Sequence, residues 1–181
     1  KAKKQLPDLI ISDIMMPEQD GMALCHEIKT NELTSHIPVI LLTAKVGEVN
    51  EIQGIKTGAD AYVTKPFSSE KLKVRVEKLI ESRLKLQKHF SSTLTINPEL
   101  AITSTETEFL KRLQTTLDKH ITNPDFNSEA LGKHMQISRT QLHRKLKAIT
   151  GMTTSEFLRS QRLKLSVELL KKSDATMAEI A

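Results

Sequence analysis

Asp8-Leu9-Ile10-Ile11-Ser12-Asp13-Ile14-Met15-Met16-Pro17, followed by Asp20-Gly21, decides how this chain reads. The apolar run Leu9–Ile11 is too short for a helix of its own and β-branched enough for a buried strand. It delivers one carboxylate, Asp13, before the chain turns at Pro17. In an open parallel sheet, chemistry gathers at the carboxyl ends of the strands, and Asp13 falls there. Two later runs repeat the pattern. Pro38-Val39-Ile40-Leu41-Leu42-Thr43-Ala44 ends in a hydroxyl, and Ala61-Tyr62-Val63-Thr64-Lys65-Pro66-Phe67 ends in an ammonium. A carboxylate, a hydroxyl and an ammonium at the ends of successive strands suit a phosphoryl group. Asp13 is then the nucleophile, and Thr43 and Lys65 bind the phosphoryl oxygens.

Between the strands the hydrophobic period changes. Gly21 to Asn31 predicts a helix with Met22, Leu24, Cys25 and Ile28 inward. Val49, Ile52 and Ile55 mark one face of a further helix, closed by Gly58. Ser68 or Ser69 caps a long last helix with Leu72, Val76, Leu79, Ile80 and Leu84 on its apolar side. Strand and helix alternate, which predicts a parallel α/β sheet.

Asp13-Ile14-Met15-Met16-Pro17 with Asp20-Gly21, Thr43-Ala44, Gly58-Ala59-Asp60-Ala61-Tyr62 and Lys65-Pro66-Phe67 occur in this order. Together they resemble the receiver domain of two-component response regulators, over residues 1–88. The resemblance implies a flavodoxin-like sheet, a histidine kinase as phosphodonor to Asp13, and a cis Lys65-Pro66 bond. It implies that the added charge of about −2 draws in the Thr43 hydroxyl, and that Tyr62, three residues before Lys65, follows as the switch aromatic. It also implies Mg²⁺, for which Asp13 and the backbone carbonyl of Met15 are the ligands that carry over. The family's first two strands and helices, and the acidic pair after its first strand, have no match here. The sequence starts without Met and stops at Glu179-Ile180-Ala181 inside a helical pattern, as expected of a piece of a longer chain. By itself such a piece is expected neither to accept a phosphoryl group efficiently nor to hold Mg²⁺ tightly. Leu9–Ile11 would be an apolar sheet edge that invites self-association, a homodimer included.

Composition sets the bounds. The 181 residues suit one or two domains, with a net charge of +5. Arg139 to Lys172 holds nine basic residues and two acidic ones, an excess that suits a polyanion such as DNA; a solvated helical surface is the plainer alternative. The single cysteine, Cys25, excludes an internal disulfide and reads as a reduced, buried thiol. No run approaches the ~18 apolar residues of a membrane span, and no signal peptide is visible; a cytoplasmic location, or the cytoplasmic portion of a membrane-bound kinase, is expected. The six histidines show no metal-ligand spacing.

Loop signals at Ser91-Ser92-Thr93, Asn97-Pro98 and Thr103-Ser104-Thr105 place a linker over 89–104 and a second domain over 105–181. Thr105-x-x-Glu108 is a capping box opening a helix with Phe109, Leu110, Leu113, Leu117 and Ile121 inward. A short helix, about Ser128 to Met135, carries Leu131. Gln136-Ile137 makes the turn, and Ser138-x-x-Gln141 opens a helix over Arg139–Ile149 that Gly151 closes. Leu142, Leu146 and Ile149 share one face of it; Thr140, His143, Arg144 and Lys147 share another. Two short helices joined by a tight turn, the second with a basic polar face, predict an all-α helix-turn-helix domain. Thr153-x-x-Glu156 caps a long helix with Phe157, Leu158, Leu163, Leu165, Val167, Leu169 and Leu170, and Thr176-x-x-Glu179 opens another.

Leu131, Ile137-Ser138, Leu142-His143-Arg144-Lys145-Leu146-Lys147, Gly151, Phe157-Leu158, Arg162-Leu163, Leu169-Leu170 and Ala178-Glu179-Ile180-Ala181 resemble the AraC-type DNA-binding domain. The resemblance implies double-stranded DNA as partner and two helix-turn-helix units joined by a long helix; the second unit stops after its first residues. Arg139, Thr140, His143 and Arg144 are the base-reading candidates, since Arg bridges guanine O6 and N7 and Thr meets a thymine methyl. Lys147, Arg159 and Arg162 suit phosphate or packing.

The expectation is a phosphorylation-controlled, DNA-binding transcription regulator, with this stretch a phosphoacceptor rather than an enzyme. One alternative is the output region of a hybrid histidine kinase. Another is a phosphatase-like enzyme on a doubly wound scaffold, which expects a second Asp where Met15 stands. A third is an interaction module with an inactive receiver.

Overall fold

The computed structural model describes residues 2–44, 57–93 and 98–172. The helix expected over Val49, Ile52 and Ile55, and the one expected from Thr176 to Glu179, lie outside them. The chain divides into two compact units, residues 1–85 with 100–107 and residues 86–99 with 108–181.

The first unit holds α1 (Ala2–Gln5), β1 (Ile10–Asp13), α2 (Gly21–Thr30), β2 (Val39–Thr43), β3 (Ala61–Thr64) and the start of α3 (Ser69–Thr93). The strands form one parallel sheet in the order β1-β2-β3. This is the flavodoxin-like α/β arrangement expected. The central strand is the most deeply buried: Val39, Ile40 and Leu41 are fully inside, with Ile37 just before them. Cys25 and Ile28 of α2 pack on Ile37, Val39 and Leu41, and Leu6, Ile10, Met22 and Leu24 close over that cluster. Helix α2 starts where Asp20 accepts the Met22 N–H at 3.1 Å, the ordinary service of an N-cap aspartate.

A buried ion pair, which patterning did not reveal, ties these elements. Lys29 Nζ lies 2.6 Å from Asp60 Oδ2, with both side chains at least nine-tenths covered. Lys29 also donates to the Ile37 carbonyl at 2.9 Å, and Asp60 accepts the Val39 N–H at 2.7 Å. Both charges therefore find hydrogen-bond partners as well as each other, which a buried pair needs to offset its desolvation.

Helix α3 begins as expected, with Ser68 Oγ accepting the Lys71 N–H at 3.2 Å. Its apolar side is only half-covered: Leu72, Val76, Leu79 and Ile80 are intermediate, and Leu84 is 49% exposed rather than inward. At that turn Arg83, Leu86 and Gln87 take the covered positions instead. The linker expected over 89–104 also needs correcting, because α3 runs on to Thr93. The hydroxyls of Ser91, Ser92 and Thr93 turn back onto the Lys88 and His89 carbonyls, so these loop-favouring residues stay helical, and Phe90 is buried beside them. A short 3-10 turn, Pro98–Leu100, follows.

Every regular element described after that turn is an α-helix: α4 (Ser104–His120), α5 (Ser128–Met135), α6 (Arg139–Thr150) and α7 (Thr154–Lys172). The capping box of α4 is shifted from the expected one. Thr103, not Thr105, accepts the Glu106 N–H at 3.1 Å, and the Glu106 carboxylate reaches back to the Ile102 N–H at 3.2 Å. Glu106 is buried and meets Arg83 Nη1 at 3.3 Å; Glu108 has no such buried cation among its described contacts.

In the second unit Phe109, Leu110, Leu113, Leu117 and Ile121 are buried as the spacing predicts, with Leu131, Met135, Leu142, Leu146, Ile149, Phe157 and Leu158. Asn127 caps α5 by accepting the Glu129 and Ala130 N–H groups. Gln136 takes a left-handed φ of 57° to make the turn into α6. The Thr153–Glu156 box of α7 is reciprocal, at 2.8 and 3.2 Å. Beyond Phe157 and Leu158 the expected apolar side of α7 is open: Leu163, Val167, Leu169 and Leu170 are exposed.

Replacing Asp60 with Ala strands the buried Lys29 ammonium. The variant is expected to lose stability on the order of 3–5 kcal/mol, read from urea unfolding followed by a probe in the first unit. A loss within a few tenths of wild type would mean the pair is solvated.

Candidate functional site

Because β1, β2 and β3 run parallel, their carboxyl ends lie along one sheet edge. Asp13 is the last residue of β1, opposite Leu42. Thr43 is the last of β2, opposite Thr64 of β3. Lys65 follows directly, and its N–H donates to the Thr43 carbonyl at 2.7 Å, so its side chain starts one step past the ladder.

The three residues do not relate equally. Lys65 Nζ bonds Asp13 Oδ2 directly, as a charge-assisted hydrogen bond. The two side chains are 42% and 32% exposed, so this pair faces solvent. Hydrogen bonding to the Lys65 ammonium, together with its positive charge, outweighs desolvation and holds the Asp13 carboxyl below the usual carboxylate range; N–H groups at Met15 and Ile14 lower it further. The Met15 N–H reaches Asp13 Oδ1 at 3.3 Å. Thr43 is buried at the end of the intervening strand. The Lys65-Pro66 bond is cis.

Gly21 supplies a part of the site that carries no functional group. Its N–H donates to the Ile14 carbonyl at 2.9 Å. A Cβ built on it would fall 2.0 Å from the Asp13 carbonyl oxygen. Only glycine lets the start of α2 come this close to the residue carrying the carboxylate.

Tyr62 is half-buried against the core of the first unit. Its hydroxyl stands 2.6 Å from Thr57 Oγ1. Met15 is 79% exposed in the loop beyond β1. Among the described residues no group of three or more His, Cys, Asp or Glu side chains gathers in a metal-binding cluster. No described helix is long and apolar enough to cross a membrane.

The residues singled out on α6 share one helix. Arg139, Thr140, Arg144 and Lys147 are exposed and His143 is half-buried, while Leu142, Leu146 and Ile149 face the core. Arg162 is a packing residue: it donates to the Ile121, Asn123 and Phe126 carbonyls at 3.2, 3.1 and 2.6 Å. Lys145, in the middle of the basic run, is fully buried with its ammonium 5.4 Å from the Phe109 ring centroid. Its place three residues after Leu142 and four before Ile149, on the buried stripe of the helix, was the available signal.

The family model described as the response regulator receiver domain matches residues 1–77. Histidine kinase P4 of Formosa agariphila is 36% identical over 181 residues, covering 99% of this chain and 13% of its own length. The phosphate regulon transcriptional regulatory protein PhoB of Pseudomonas aeruginosa is 49% identical over 74 residues, 41% of this chain and 32% of its own. Among solved structures, the signal receiver domain of a signal transduction histidine kinase from Syntrophus aciditrophicus is 43% identical and covers 41% of this chain and 57% of that one, with a TM-score of 0.38. The receiver domain of a sensor histidine kinase from Pseudomonas aeruginosa, with magnesium in its active site cleft, is 29% identical over 44% of this chain and 66% of that one, with a TM-score of 0.41. The chain thus spans a third or less of these two curated relatives.

A carboxyl held down by a neighbouring ammonium stabilises the fold when ionised. The Asp13–Lys65 contribution is therefore present above the unfolded carboxylate value of about 3.9 and is lost as pH falls through the lowered folded value. In an NMR titration the Asp13 midpoint is expected below 3.9, and Lys65→Met is expected to move it upward; an unmoved midpoint would show that the ammonium is not what holds it.

Proposed function

We propose, residues 1–77 being a response regulator receiver domain, that this chain couples a phosphoacceptor to a DNA-reading helix. Asp13 takes a phosphoryl group from a histidine kinase, and α5 with α6 forms a helix-turn-helix that binds double-stranded promoter DNA. The observation that carries this reading is the Asp13–Lys65 bond at the carboxyl edge of the sheet, with Thr43 ending the strand between them.

In the transfer, one Asp13 carboxylate oxygen attacks the phosphorus of the donor phosphohistidine. The nitrogen–phosphorus bond breaks, and the departing imidazole keeps the electron pair and takes up a proton. Lys65 offsets charge on the phosphoryl oxygens, and the Thr43 hydroxyl donates to them. The Asp13 carboxylate and the Met15 carbonyl are hard oxygen donors that suit Mg²⁺, an ion that keeps several waters; when bound it supplies further charge neutralisation. Movement of Thr43 toward the phosphoryl group opens space for Tyr62, which exchanges its Thr57 contact for an inward position. The equilibrium between two arrangements shifts accordingly.

For the DNA half, the support is the division of α6 into a buried Leu142–Leu146–Ile149 face and an exposed face bearing Arg139, Thr140, Arg144 and Lys147, with His143 at its margin. In this reading, an AraC-type one, the exposed face enters the major groove. One observation favours a hybrid histidine kinase as the parent protein: the match to Histidine kinase P4 runs through both units of the chain. On that reading this stretch is the cytoplasmic receiver and output region, and the kinase chemistry lies elsewhere.

In the intact protein, Asp13→Asn is expected to abolish phosphoryl transfer from the donor kinase, since an amide is a poor nucleophile; acid-labile labelling at the wild-type level would move the acceptor elsewhere. Arg144→Ala is expected to weaken specific DNA binding by about 1–3 kcal/mol in a fluorescence titration. An equal loss on all sequences, with a shallower salt dependence, would reassign Arg144 to a phosphate.

A further inference from the structure

The C-terminal half of α3 carries Arg83, Gln87 and Phe90 at the spacing that stacks side chains on one helix face. Gln87 and Phe90 belong to the second unit, as does α6. The Gln87 side-chain amide donates from Nε2 to the Lys147 carbonyl at 2.8 Å and stands 3.5 Å from the Ala148 carbonyl. Both carbonyls lie in the final turns of α6, where a helix has no partners of its own to offer them. The Gly151 N–H meets the same Lys147 carbonyl at 2.9 Å. Gly151 has a φ of 78°, and a Cβ there would approach Gln87 Cγ at 3.3 Å. The C-cap glycine thus allows a left-handed residue and makes room for Gln87 as well.

We infer that Gln87 is a positioning residue for DNA reading, fixing the C-terminal end of α6 through its side-chain amide. The inference rests on the DNA-binding reading of α6. Ser138 holds the other end of that helix, accepting the Gln141 N–H at 3.3 Å, so the reading face is suspended between a local cap and a cap supplied by α3. Bidentate contacts to base edges depend on geometry far more than charge contacts to phosphates do. Loss of the distal cap therefore falls on sequence discrimination first. The helix that supplies this cap starts just past Lys65-Pro66, with no break in its course from Ser69 to Thr93.

The test compares wild type, Gln87→Glu and Gln87→Lys in the full chain. The probes are a duplex enriched from a random library on the wild-type protein and sheared genomic DNA as non-specific competitor. Glutamate keeps the shape, removes the donor and sets a negative charge against the negative end of α6. Lysine restores a donor with a favourable charge. Gln87→Glu is expected to lower the affinity for the enriched duplex about fivefold, the worth of one net hydrogen bond, while leaving non-specific binding unchanged; Gln87→Lys is expected to stay within about twofold of wild type. Parallel loss on both DNAs would make Gln87 a folding residue only, and equal binding by all three proteins would overturn the inference outright. If wild type enriches no duplex, the DNA-binding reading fails by itself. Hydrogen exchange then decides the positioning claim: Gly151 is expected to exchange faster in Gln87→Glu than in Gln87→Lys, and equal rates would overturn it.

Discussion

Parallel pairing of β2 with both of its neighbours is the constraint on which the first unit depends. Strands that run the same way must be joined by crossovers, and they end on the same edge. The crossover from β1 to β2 needs α2, which has to start almost on top of Asp13; Gly21 permits that approach. The same parallelism carries Lys65, 52 residues away in sequence, to Asp13. Nothing local would bring a carboxylate and an ammonium together at that distance along the chain. The site is a consequence of strand direction, and the side chains then need only the right chemistry.

Buried charge does the fastening that apolar packing leaves undone. Lys29 reaches Asp60 and the Ile37 carbonyl, which ties the end of α2 to the entries of β2 and β3. Burial, with Lys29 and Asp60 working in opposite directions, pushes the nearby Cys25 thiol up to about 11. That cysteine is a packing group and a poor nucleophile at neutral pH. Glu106 serves a similar end at the start of α4, facing Arg83 while its carboxylate also takes the Ile102 N–H. Such pairs add little net stability against an apolar alternative, but they tolerate few other arrangements.

Much of this was legible from residue order, for physical reasons. Val39–Thr43 and Ala61–Thr64 are short apolar runs closed by turn residues, and Asp20, Ser138, Thr153 and Gly151 are caps that act within four residues of themselves. Local rules suffice for features of that reach. The signal failed where a distant partner decided the outcome. Thr103 displaces Thr105 as the α4 cap because Glu106 has Arg83 to meet across 23 residues. Residues 89–93 look like a loop by composition, yet buried Phe90 and three back-bonded hydroxyls keep them helical. In the candidate site, Asp13 and Lys65 were legible as strand ends, whereas the contribution of Gly21 required knowing how closely two backbones approach.

The basic run from Arg139 to Lys172 shows how a charge count overstates a surface. Of its nine basic residues, Lys145 is fully buried beside Phe109 and Arg162 is spent on three backbone carbonyls. Neither is placed to displace counterions from a polyanion, so the electrostatic footprint is smaller than the sequence suggests. Removing those two also sharpens the pattern. Arg139, Arg144 and Lys147 stand on the exposed side of one helix, opposite the stripe that packs into the core. The charge excess of this segment thus serves two purposes, fastening α6 to α4 through Lys145 and α7 to the loop after α4 through Arg162, and presenting a compact cationic face on the exposed side of α6.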